Sequence, residues 1–359
     1  MNTSNSPQPD LKKEKASAVH RLSPYIICAL ALFAALVLGA GIGAVAIPPL
    51  EVLAILASRL PLVQIHPAWS EAFETILFDI RLPRTLLVAI TGAALAGSGA
   101  AYQGLFRNPL ADPYLIGVAS GAGLGAVLAM SFQFPASLGG MAAIPLAAFA
   151  GALLTVALVY SLARVGRSAP VTTLILAGVA TSAFAAALST FLMLRSQEQL
   201  RRAIAWTLGG FAFGGWQPVL VLLPYTLVGL GVIILMGRSI NVLQFGEDQA
   251  RQMGLNVERV KLALVLAASL TTAAAVSFSG IIGFVGLAVP HLVRLLWGGD
   301  YRQVVPLSVL AGGAVLLVAD ILARVILAPE ELPLGIVTAL AGAPFFLWLL
   351  RRAKQQAFW

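Results

Sequence analysis

One cysteine, Cys28, and three histidines are all the thiol and imidazole in 359 residues. An intrachain disulfide is therefore impossible, and no Cys/His cluster of zinc-site spacing exists. Charge is scarce too, at 11% of residues against about 25% in an ordinary soluble domain. Only five lysines occur, none after a glycine loop, so the chain lacks the G-x-x-x-x-G-K-S/T phosphate cradle and does not bind ATP by that route. Neither an H-E-x-x-H pair nor a G-x-S-x-G elbow is present. These gaps leave an enzyme reading with little to stand on.

What fills the chain instead is apolar surface: 59% hydrophobic residues, a further 34 glycines, and a mean hydropathy of +0.91. A soluble fold of this size must cover itself with polar groups, and this composition cannot supply them. The sequence reads as an all-α polytopic membrane protein; a cytosolic enzyme, a disordered chain and a disulfide scaffold are excluded. Apolar stretches of spanning length, near 20 residues for a core of about 30 Å, fall at roughly 25–47, 85–106, 114–132, 140–162, 172–194, 218–237, 260–279, 281–297, 304–327 and 333–350. Ser277, Gly280 and Gly283 interrupt the long apolar run that holds the seventh and eighth of these.

Ten spans place both termini on one side. The net charge of +8 identifies that side, because 16 of the 23 Lys and Arg residues fall in its connections and span ends. Basic residues stay cytoplasmic, so both termini are expected inside, and the positive balance is a topology signal with no call for nucleic acid. The first apolar run is longer than the core of a cleaved signal, so it is expected to be a retained helix. The expected organisation is a cytoplasmic tail over 1–22, a permease domain over 23–352 and a short cytoplasmic tail over 353–359.

The connections differ in kind. An outer segment, 48–84, carries Pro48, Pro49, Pro61 and Pro67 and is expected to lie over the membrane surface; RSQEQLRRAIAW at 195–206 has helical spacing and suits an interfacial helix. The inner connection 238–260 is the most polar internal stretch, and it reads as two short helical pieces broken at Gly254, with Glu247 and Asp248 near the start of the first. Gly117, Gly121 and Gly125 recur every four residues, as do Ala93, Gly97 and Ala101, which suits close helix packing. Asp320 and Arg324 lie four apart within the ninth span and are expected to compensate each other on one helix face. His291, after Pro290, is expected to be a capping or interfacial histidine.

At this point the residues carry a resemblance. RLPRTLLVAITGAALAGSGAAYQGLFRNPLADPYLIGVASGAGLG (81–125), LILAGVA (174–180), the 246–261 loop, SGIIGFVGLAVPHLVRLL (279–296) and ADILARVILAPEELPLGIVTALAGAPFFLWLL (319–350) follow one another in order. They resemble the permease subunits of type II ATP-binding-cassette (ABC) importers that take up iron chelates, haem and cobalamin, the FecCD or BtuC-like permeases.

The resemblance implies ten transmembrane helices per subunit and a homodimer in the inner membrane, surrounded by lipid. Two separate ABC ATPase subunits, which carry ATP and Mg, would sit inside; this chain would hold no cofactor of its own. An extracytoplasmic substrate-binding protein would dock outside, against Arg81, Arg84 and Arg324. Glu247, Arg251, Gly254 and Leu255, in the cytoplasmic coupling loop 238–260, would meet the ATPase. Asn108, Leu110, Val171 and Thr172 would form the cytoplasmic gate; one gate position that is threonine in cobalamin-importing members is Val171 here. Ferric siderophore is the favoured cargo as the commonest in the family, with haem and cobalamin also open. An ion-coupled secondary transporter and a non-transporting membrane scaffold are the other classes, and the scarcity of intramembrane carboxylates speaks against the first.

Overall fold

A computed structural model describes residues 11–43, 45–60, 69–132, 140–166, 168–194, 197–211 and 214–356. Among these residues the chain is helical, with no sheet. The helices are α1 (Leu11–Gly41), α2 (Pro49–Ser58), α3 (Glu71–Thr75), α4 (Leu82–Phe106), α5 (Val118–Ser131), α6 (Gly140–Ala163), α7 (Val171–Met193) and α8 (Gln197–Thr207). They continue with α9 (Gln217–Leu235), α10 (Gly237–Leu243), α11 (Glu247–Gln252), α12 (Val257–Ser279), α13 (Val285–Trp297), α14 (Tyr301–Val325) and α15 (Leu334–Gln356). A π-helical turn, Ile76–Arg81, joins α3 to α4 without a break.

Each of the ten expected spans coincides with a helix, but the number that crosses the membrane is not fixed at ten. Seven helices are long and apolar enough to do so; Val118–Ser131, Val285–Trp297 and the apolar part of α15, Leu334–Trp348, are shorter. At 1.5 Å per residue, α5 and α13 reach only about 20 Å. Both begin after irregular backbone, at places where glycines interrupt the apolar sequence. Gly117 caps α5 at φ 87°, and the five residues before α13 leave the helix between Gly280 (φ 65°) and Phe284 (φ 67°). Such backbone survives at membrane depth only where protein satisfies it. Here the Gly210 N–H donates to the Ser279 carbonyl at 2.8 Å, and the Tyr114 hydroxyl donates to the Ile282 carbonyl at 2.9 Å.

Within the stretch expected to be a tail, α1 begins at Leu11, in a run of good helix formers. Residues 1–10 and 357–359 lie outside the described residues, as do 61–68 of the outer segment. Within the rest of that segment lie α2, α3 and the π-helical turn that leads into α4. The expected interfacial helix is α8.

α4 is the axis of the molecule. It packs against α14, α12, α13 and α9, while α1 closes over α14 and α5 sits between α6 and α7. Its run TGAALAGSGAA has almost no side-chain volume, which lets neighbouring backbones approach. A β-carbon at Gly92 would collide with the Gly312 backbone, and one at Gly99 with Gly286. The four-residue glycine pattern does the same on α5, where Gly121 lies on Gly151 and Gly125 on Ala147 of α6. Large apolar side chains point outward instead, among them Leu154, Leu162, Phe184, Phe191, Leu227 and Leu235. α7 is the least enclosed long helix, with only Leu174, Gly178, Ala185 and Ser189 buried.

Candidate functional site

The polar chemistry gathers at the two ends of the bundle. At the end expected to face the cytoplasm, called inner for that reason and the opposite end outer, the connection after α9 folds into α10 and α11. Gly246 turns between them at φ 107° and Gly254 ends α11 at φ 85°, a left-handed value that glycine adopts without strain. The expected break at Gly254 is therefore present. Glu247 and Asp248 stand in the first turn of α11, Arg251 in its last, matching the helix dipole at both ends. Arg251 pairs with Glu247 at 3.1 Å and Asp248 at 2.9 Å.

An open cavity of about 550 Å³ lies between this segment, the end of α4 and the start of α7. Glu247, Arg251, Val171 and Thr172 all line it, with Arg107 and Gly246 between. Two residues of the expected gate and two of the expected coupling loop, separated by more than 70 positions in the chain, thus share one space. Gly254 and Leu255 do not line it; Leu255 packs half-buried on the core, its N–H donating to the Ala250 carbonyl at 3.0 Å.

Asn108 and Leu110 sit beside the cavity, in the loop that follows α4. Arg107 ends α4 in the left-handed region, and the Leu110 N–H donates to Asn108 Oδ1 at 2.9 Å. The Tyr114 N–H donates to Asp112 Oδ1 at 2.8 Å, so two side-chain-capped turns hold the loop. Burial pushes the Asp112 carboxyl up to about 6, and the Tyr114 N–H only partly offsets it. Across the inner face Arg302 and Asn241 donate to Asp300, which holds its carboxyl well below the usual range.

Three residues that sequence reasoning passed over complete the inner site. Lys261, counted only as a topology charge, is 1% exposed and meets Glu247 and Glu258 at 3.1 Å each. Glu258 also accepts from the Ser168 hydroxyl at 2.9 Å. The available signal was Lys261 one turn into an otherwise apolar helix. His291 is not a cap: it lies mid-α13, its ring 6.4 Å from that of Phe346, with both nitrogens enclosed and without hydrogen-bond partners among the described residues.

At the outer end the three expected arginines converge around α1 and α14, in different roles. Arg81 donates to the carbonyls of Ala40 (3.0 Å), Gly41 (2.7 Å) and Val45. Arg324 donates to Ile42 (2.6 Å) and Gly39 (3.1 Å). Both therefore satisfy the carbonyls that the end of α1 leaves open. Asp320 and Arg324 pair at 2.9 Å as expected, and Asp320 also pairs with Arg84 at 2.9 Å. Side chains of Arg324 and Asp320 are nearly enclosed, whereas that of Arg84 is 23% exposed. Of the three arginines, Arg84 alone offers its guanidinium to the outer surface.

A multi-helical membrane protein with irregular backbone enclosed within its bundle, a polar helical connection and no nucleotide cradle in its sequence has the form of a transporter's permease subunit. The chain belongs to the FecCD transport family, whose model matches residues 30–352. It is 46% identical over 287 residues to the cobalamin import permease BtuC of Halobacterium salinarum, covering 80% of this chain and 76% of that one. It is 45% identical over 281 residues to the uncharacterized ABC transporter permease YvrB of Bacillus subtilis, covering 78% and 80%. To the hemin permease HmuU of Yersinia pestis it is 41% identical over 294 residues, covering 80% and 86%. A metal-chelate-type ABC transporter solved in an inward-facing conformation superposes with a TM-score of 0.78 at 29% identity, covering 92% of this chain and 98% of that one.

Proposed function

We propose that this chain forms the translocation path of an ABC importer for a metal chelate and moves its cargo inward by alternating access. Two copies would face each other across one path, and α7, the least enclosed helix, suits that role. A binding protein would deliver cargo at the outer end, where Arg84 is the exposed cation of the three arginines. Complementary charge at such a surface sets register and speeds encounter. Hydrolysis of ATP would occur on two separate subunits seated against α10 and α11. The observation that carries the reading is the single cavity shared by Val171 and Thr172 with Glu247 and Arg251, since a pump must join its gate to its motor.

The cargo is a metal chelate, with ferric siderophore, haem and cobalamin the members to test. Relatives named for cobalamin and hemin support the class. The test is uptake by cells with and without this chain of labelled ferric siderophore, haem and cobalamin, each with and without ATP depletion. Loss of one ATP-dependent uptake identifies the cargo and supports the pump. Uptake that survived ATP depletion but collapsed with an uncoupler would replace the pump with a secondary transporter.

A further inference from the structure

An ammonium buried in an apolar helix costs free energy unless its donors are met. Lys261 is buried, and its three donors find three partners: Glu247 and Glu258 at 3.1 Å and the Ala169 carbonyl at 2.9 Å. The Ala169 N–H is also taken, donating to Glu258 at 3.3 Å. Both backbone groups of Ala169 are thus clamped by one ion pair on α12. Ala169 precedes Pro170, which caps α7, and Val171 and Thr172 are the first two residues of α7. Glu247, the third partner, begins α11. One buried charge joins the motor-facing segment, the first turn of α12 and the gate.

We infer that Lys261, with Glu258, is the positioning residue through which displacement of α11 moves the start of α7. This rests on the proposed coupling role of α11. Topology alone does not explain the arrangement, because a lysine serving only the positive-inside bias belongs in water, as Arg259 is, two residues earlier. Glu247 is carried by α11 and held by the ammonium, so a displacement of α11 pulls on the same group that holds Glu258 and the Ala169 carbonyl. The connection is made by side chains, so it can be cut without altering the path of the backbone.

The experiment follows the gate directly and needs no knowledge of the cargo. In the full complex with its ATPase subunits, reconstituted in liposomes, Cys28 is replaced by alanine and Thr172 by cysteine. The rate of maleimide labelling is then compared without nucleotide and with ATP and vanadate. A change of about fivefold or more is expected, falling below about twofold with Lys261→Met or Glu258→Gln while bound ATPase continues to hydrolyse ATP. The double variant is expected to be no further impaired, as for residues acting through one link. If Lys261→Met does not assemble, Glu258→Gln decides. A full response in either assembled single variant overturns the link and leaves the coupling reading standing. No response in the otherwise unaltered complex overturns both.

Discussion

Glu331 grips Arg84 with both carboxylate oxygens, at 2.8 and 2.9 Å, across 247 residues of sequence. The guanidinium that faces outward is therefore already occupied by a half-exposed carboxylate of its own chain. An acidic residue on a binding protein must displace that carboxylate to pair with Arg84. Glu331→Gln is expected to tighten docking by about threefold to tenfold, and Arg84→Glu to weaken it by about tenfold or more. Binding-protein affinity for the complex in nanodiscs, measured at low and high salt, checks both. Unchanged affinity in Arg84→Glu removes Arg84 from the docking surface.

Beneath that contact, Asp320 bridges Arg84 and Arg324, each at 2.9 Å, and with Glu331 balances their two charges. Breaking a buried pair leaves an uncompensated charge, at a cost of about 3–5 kcal/mol. Asp320→Asn is expected to lower thermal stability in detergent by that order. Arg202→Gln, which removes an exposed i,i+4 pair with Glu198, is expected to stay within about 0.5 kcal/mol. Equal shifts in the two variants would contradict a structural role for Asp320.

Gly254 connects α11 to α12 at φ 85°, and its N–H donates to the Arg251 carbonyl at 3.0 Å. Proline cannot adopt that φ and has no N–H to give. Gly254→Pro is expected to re-aim α11 and reduce co-purification of the ATPase to a small fraction, whereas Gly254→Ala, strained by about 1–2 kcal/mol, retains most of it. Normal co-purification of the proline variant would argue that α11 is not the ATPase contact.

The helix positions were legible because apolar length and glycine spacing are local properties. Their spanning lengths were not, because the glycines before α13 signal an interruption but not that residues 280–284 leave the helix entirely, with Phe284 itself at φ 67°. The helical pattern of the polar loop was legible because first-turn acids at Glu247 and Asp248, a last-turn base at Arg251 and a break at Gly254 are local signals. Lys261 was passed over because its partners, Glu247 and Ala169, lie 14 and 92 positions away. The outer arginines show the opposite limit: their charge was plain, but only packing reveals that Arg81 and Arg324 turn inward to cap α1.

Asp112 gives the inner loop a pH dependence whose sign is fixed by burial. Its folded value of about 6 lies above that of an unfolded aspartate, near 3.9. The native state therefore favours the protonated form, and the stability this brings is complete below about pH 4. That stability is lost as pH rises through about 6, where the carboxyl must charge in the folded state. Asp112→Asn cannot charge and keeps an acceptor for the Tyr114 N–H. It is expected to be more stable than the parent by about 1–3 kcal/mol at pH 7.5. The gain should shrink between pH 6 and 4, until the two proteins unfold together. Thermal unfolding in detergent across that range checks it, and a gain independent of pH would mean that charge on Asp112 is not its source.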